Sequence, residues 1–242
     1  MVRQFQRRAH HYLRDLPPLQ QELDWLALIQ HYGGPTRLLD FSHSFYVAAF
    51  FAMERAQADA AIWAVDLEAL KETIASQTKV DTSKETTDDV NKRHVALANS
   101  VLRKKKKLPG VIDVEPDQLH ERQTIQQGFF LFPSDTSIPF EANLAKTYGV
   151  DPSTFAKPAT DLWCDVKNKF YSETERPTIM KINIPRTCHY QGMSDLEQMN
   201  ITAATLFPGL DGFSRSLYFY LRMDISFDWL ADSLSQLPDP SA

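Results

Sequence analysis

Between Gln30 and Ser42 the chain reads Gln-His-Tyr-Gly-Gly-Pro-Thr-Arg-Leu-Leu-Asp-Phe-Ser. This short stretch carries an imidazole at His31, hydroxyls at Thr36 and Ser42, a guanidinium at Arg37 and a carboxylate at Asp40. Together they could hold a polar substrate by hydrogen bonds and charge. Each also has a structural role open to it. His31 either hydrogen-bonds at a helix end or joins a site. Thr36, beside a Gly-Pro turn, either satisfies backbone groups or faces a ligand. Arg37 either contacts substrate or pairs with Asp40, since a buried charge needs a partner in both cases.

Other familiar chemistries are missing from the sequence. It contains no glycine-rich phosphate loop, no G-x-S-x-G elbow and no H-E-x-x-H, which argues against P-loop enzymes and the common hydrolases. His10, His11, His94, His120 and His189 have no spacing typical of metal ligands, so no metal is expected. Cys164 and Cys188 lie far apart without a C-x-x-C and read as two reduced thiols. Lys104 to Lys107 form a basic run. A run of this kind is either a solvated face or a contact for an anionic partner, distinguishable by salt dependence.

Several elements must position these groups. Residues 3–15 read as a basic helix stopped before Pro17-Pro18, and residues 19–32 as a second helix ended by Gly33-Gly34-Pro35. Residues 36–41 read as extended. Ser42 or Ser44 then caps a helix over 44–57, apolar on every side and therefore expected to be buried. Strands are expected over 60–66, 111–114, 123–132 and 177–184, and helices over 68–76 and 95–103. A further helix is expected from Ser194, where Glu197 stands at capping-box spacing. Another should start near Gly209 or Asp211, with Asp211-Gly212 as a turn or helix-start device. The stretches 77–94 and 134–175 read as surface insertions, and 233–242 as a frayed tail.

The bulk properties agree with one ordinary globular domain. The chain has 242 residues, 43% of them hydrophobic, and a net charge of -5, with a pI near 5.8. That acidity argues against a general nucleic-acid coat. No apolar run approaches the roughly 20 residues of a membrane helix, and the basic start lacks the apolar stretch of a secretory signal. A cytoplasmic protein without membrane contact is expected.

The segment from Gln30 to Ala52 resembles the hallmark of the FRG family, a bacterial intracellular module: roughly Q-H-x-G-x-P-T-R-L-L-D-W-T followed by an F-F-A or Y-F-A helix. Gln30, His31, Gly33, Pro35, Thr36, Arg37, Leu38, Leu39 and Asp40 match, as does Phe50-Phe51-Ala52, whereas Phe41 and Ser42 replace Trp and Thr. Arg122 with Gln126-Gln127-Gly128-Phe129 is similar to the family's R-x-x-x-Q-x-G-x-F strand. Ile201 with Thr205-Leu206-Phe207-Pro208-Gly209-Leu210-Asp211-Gly212 is similar to its closing motif. In one respect the chain departs from the pattern: the Phe-Arg-Gly triplet expected on a strand upstream of the hallmark does not occur in it, and Phe5-Gln6-Arg7 is not one. Either the sequence begins downstream of that strand or this member lacks it.

The resemblance implies an α+β fold over residues 1–232: a single mixed domain with a central sheet and packed helices, ADP-ribosyltransferase-like, with insertions. It implies NAD as substrate and an unknown acceptor. Arg37, Ser42, Gln126 and Gln127 stand at catalytic positions by that analogy, and His31, Thr36, Asp40 and Phe41 at NAD-binding ones. Hydroxyl and amide groups would orient the nicotinamide, and a carboxylate would steady developing oxocarbenium charge, which Gln cannot do. The implied setting is a toxin or phage-defence effector. The alternative is a non-catalytic recognition module that binds a protein, or a nucleic acid through Lys104–Lys107.

Overall fold

The computed structural model describes residues 1–103, 108, 110–116, 121–155 and 179–218. Lys104–Lys107, Cys164, His120 and the tail 233–242 lie outside them. The fold is mixed α+β, and the chain forms two compact units. The first takes Met1–His43, Ala61–Leu119 and Gly128–Asn183; the second takes Ser44–Ala60, His120–Gln127 and Ile184–Ala242.

The first unit is organised by β1 (Leu39–Ser42), β3 (Val111–Val114) and β4 (Gly128–Pro133), an antiparallel sheet in the order β1-β4-β3. β4 lies in the middle, and its run Phe129-Phe130-Leu131-Phe132 is buried throughout. A strand buried on both faces reads as a continuous apolar run, as this one does. Each such side chain contributes about 1.5–3 kcal/mol on burial. The register sets Leu39 opposite Leu131 and Ser42 opposite Gly128. One core cluster joins this sheet to α2 (Glu22–His31), α4 (Leu67–Thr78), α5 (Thr87–Leu102) and α7 (Phe140–Tyr148) through Leu23, Leu70, Ile74, Ala98 and Leu144. β2 (Ala60–Val65) and β5 (Ile179–Ile184) pair separately. α1 (Val2–Ala9) lies on α2, where Phe5 meets Trp25 edge-on.

In the second unit, α3 (Phe45–Glu54) packs on α8 (His189–Gln198). A side chain at Gly192 would come within 2.9 Å of the Met53 sulfur, so glycine there permits the close approach. α6 (Glu121–Ile125), α9 (Ala203–Leu206) and a helix α10 over 210–218 also belong to the unit.

Several expectations need correction. α1 ends at Ala9 rather than near residue 15. α3 is not buried all round: Val47, Ala49, Phe50 and Met53 are buried, whereas Phe45, Tyr46 and Phe51 are exposed. Residues 87–94 are not an excursion. They open α5, whose Thr86–Asp89 capping box supplies the missing start signal, and His94 is wholly buried with Nδ1 2.8 Å from Asp113 Oδ1. Residues 121–125 are helical rather than extended, because Gln127 adopts a left-handed conformation (φ +48) and separates α6 from β4. Part of the expected insertion 134–175 is α7, with Leu144 and Ala145 in the core. α8 begins at His189, not at Ser194.

Candidate functional site

The segment from Gln30 to Ser42 starts with a hard helix stop. Gly33 takes φ +78, its amide bonds Gln30 O at 2.9 Å, and the Gly34 amide bonds Ile29 O at 2.8 Å. These two bonds close the last turn of α2 in a Schellman arrangement. A Cβ on Gly34 would come 2.5 Å from Ile29 Cγ2, so the second glycine is required by space. After Pro35, the Thr36 hydroxyl donates to Gln30 Oε1 and accepts from the Leu38 amide at 3.1 Å. Thr36 therefore fixes the turn, the structural role open to it in the sequence.

Arg37 is half-buried, with its guanidinium carbon 4.9 Å from the centre of the Phe132 ring. Among the described residues no hydrogen bond or ion pair holds it. Burial lowers its pKa below the ordinary arginine value, and the Asp135 carboxylate acts in the opposite direction. Asp40 is exposed on β1, so the expected buried Arg37–Asp40 pair does not form. The acid that acts on Arg37 is Asp135, just beyond β4, whereas Asp40 faces outward from the strand.

Asp135 is itself fixed. Its carboxylate accepts the Ser137 hydroxyl and amide, which hold its pKa below the usual carboxylate value, and lies 3.7 Å from Lys146 Nζ. Asn143, fully buried, bonds both the amide and the carbonyl of Asp135. The neighbouring Ser134 donates its amide to Gly110 O at 2.9 Å, while its buried hydroxyl has no partner among the described residues. Phe132 and Asp135 were not legible as neighbours of Arg37, and Asp135 falls in a stretch that reads as an insertion.

The other hallmark residues divide by face. Phe41 packs on Phe129 and Phe140, at 5.8 and 6.1 Å between ring centres, so its ring serves the core. Ser42 is half-buried at the end of β1, opposite Gly128. His31 is half-buried, edge-on to Tyr32. His43, next in the chain, stacks on Phe129 at 4.7 Å, with Nε2 3.9 Å from Glu115.

The two glutamines belong to the second unit. Gln126 Nε2 donates to Leu206 O at 2.9 Å, and Gln127 is exposed. Around them the second and third sequence motifs meet. Arg122 lies over Phe207 at 4.3 Å and Arg215 at 3.9 Å, Phe51 meets the same ring edge-on, and the Arg215 guanidinium pairs with both carboxylate oxygens of Glu54. Thr205 caps α9 reciprocally with Thr202. Gly212 sits where any Cβ would strike Phe207 O, which explains the glycine after Asp211.

Among the described residues no group of three or more His, Cys, Asp or Glu side chains is placed to hold a metal ion, and no helix is long and apolar enough to cross a membrane. A comparison with protein families matches residues 1–61 to the FRG domain. No curated protein matches the chain, and no solved structure does.

Proposed function

This chain carries an FRG domain, and on that premise we propose that it acts on NAD as an ADP-ribosyltransferase-like domain. The observation that supports this reading is the construction of β1. A locked turn and paired backbone hold a strand whose Phe41 ring packs on the core while Asp40 is exposed. A carboxylate on a rigid strand is what stabilisation of an oxocarbenium ion requires, and neither glutamine could supply that charge. In this reading Asp40 faces the ribose and the Ser42 hydroxyl orients the nicotinamide. NAD consumption or modification of an acceptor would suit a toxin or phage-defence effector within the bacterial cytoplasm.

Calorimetry with NAD tests this. Binding to the intact chain that weakens in Asp40→Asn and Ser42→Ala is expected. No binding at millimolar NAD would overturn it.

A second reading, a non-catalytic recognition module, is favoured by Gln126. Its amide is committed to the Leu206 carbonyl rather than held for a ligand. In that case a protein or nucleic-acid complex forms and is indifferent to Asp40→Asn.

A further inference from the structure

We propose that residues 3–14 form a docking surface for single-stranded nucleic acid, held by arginines and stacked on Tyr12. The charge of the chain is unevenly placed. Residues 1–21 carry four arginines, Arg3, Arg7, Arg8 and Arg14, against one acid, Asp15, a balance of +3. The whole chain stands at -5, so the other residues carry -8 between them. Such an asymmetry describes a basic arm on an acidic protein, an arrangement suited to a polyanion.

Packing decides which side of the arm meets solvent. Val2, Phe5, Ala9, Leu13 and Leu16 recur every three or four residues and pack with Trp25 and Leu28 of α2. Gln6 Nε2 donates to Leu19 O at 3.3 Å, and the His11 and Tyr12 amides bond Arg8 O and Ala9 O, so the backbone stays ordered past the end of α1. The four arginines are exposed on the other side, and none meets an acid among the described residues. Elsewhere Arg93, Arg103 and Arg215 each meet a glutamate.

Exposed charge alone makes a solvated face. Tyr12 is the second, independent observation. Its side chain is 84% exposed in the midst of these arginines, where it contributes little to any core. His10 and His11 beside it are also exposed, with ring centres 4.0 Å apart. Arginines interleaved with open rings suit a strand that offers both its phosphates and its unstacked bases. A lipid surface fits less well, because a basic helix enters it by its apolar face, and that face of α1 is taken up by Trp25 and Leu28. A duplex keeps its bases stacked inside, out of reach of Tyr12. This surface goes beyond the NAD reading and does not depend on it.

The test is fluorescence anisotropy of the full chain with labelled oligothymidine and oligouridine of about 20 nucleotides, longer than the roughly 4–16 that one small domain covers. Binding of either supports the surface, and the preferred one names the nucleic acid. It should weaken as salt rises from about 50 to 200 mM. Arg7→Gln with Arg8→Gln should weaken it about tenfold or more and lower the log–log salt slope by about 1.4, two phosphate contacts at about 0.7 each. Tyr12→Ala should weaken it about fivefold or more with the slope unchanged, as expected for lost stacking. Should the double variant not fold, Arg3→Gln with Arg14→Gln carries the same expectation. No binding at low salt, or equal binding by the arginine variants, overturns the surface. So does Tyr12→Ala that binds as tightly as wild type, a duplex of the same length that competes as well as the single strand, or binding to phosphatidylserine vesicles alone.

Discussion

Arg37 and Arg215 make the same contact and differ in everything else. Each lays its guanidinium on a buried phenylalanine, Phe132 in the first unit and Phe207 in the second. Arg215 is closed by Glu54 on two oxygens, whereas Arg37 has no such partner among the described residues. Stacking on an aromatic ring is thus common to a cation closed by an acid and to one without that partner. The acceptor at the edge of the guanidinium distinguishes them. The contrast also has a sequence correlate. Glu54 ends the apolar helix α3, and α10 brings Arg215 to it. Arg37 sits in a turn whose neighbouring hydrogen bonds are already closed by Gln30 and Thr36.

The comparison predicts unequal effects of substitution. The largest is expected at Arg215→Met, which leaves the mostly buried Glu54 carboxylate without its bidentate partner. Loss of about 3 kcal/mol in urea unfolding is expected, the lower end for breaking a buried pair, and Glu54→Gln together with Arg215→Met should recover part of it. Next comes Gly34→Ala, where the new methyl meets Ile29; strain of about 1–3 kcal/mol is expected from the same measurement. Thr36→Val removes the bond to Gln30 and the acceptor of the Leu38 amide, for about 1 kcal/mol. Arg37→Met should change stability least of the four, by under about 0.5 kcal/mol, because no partner is left behind. A loss there as large as that of Arg215→Met would erase the distinction.

The smallest effect concerns pH. Hydrogen bonds from Ser137 lower the Asp135 pKa in the folded state. Its contribution is therefore present above the ordinary aspartate value of about 4 and is lost as pH falls through the lowered folded value. Faster hydrogen exchange at the Ser137 amide in that acid window is expected, and Asp135→Asn should abolish the pH dependence of that exchange.

Local signals were the most legible part of the sequence. Gly33-Gly34-Pro35 announced the end of α2, Ser42 or Ser44 a cap for α3, of which Ser44 is the one used, and 123–132 a strand of which the second half forms, because backbone chemistry and burial act through neighbours in sequence. The hallmark was recognisable despite Phe41 and Ser42 in place of Trp and Thr. Its partners were not. Asp40 looked buried between leucines and an apolar helix, but it is exposed on β1 while Leu38, just before the strand, is buried. Asp135 and Ser134 carry no motif, and only the pairing of β1 with β4 brings that end of the sheet toward Arg37. The helical reading of 121–125 was hidden because Gln127 adopts a backbone conformation more usual for glycine.

The interleaving of the two units has a consequence for synthesis. The chain passes between them after His43, Ala60, Leu119, Gln127 and Asn183. β1 is complete at Ser42, yet the strand it pairs with starts at Gly128. At a translation rate of roughly 5–20 residues per second, β1 waits about 4–17 s on the ribosome before β4 is made. Over that interval the hallmark strand is an unpaired edge next to the apolar run of α3, open to capture by another nascent chain or to shielding by a chaperone. An N-terminal piece ending at residue 61 would hold the family's signature permanently in that state, and aggregation of such a piece is the expected result.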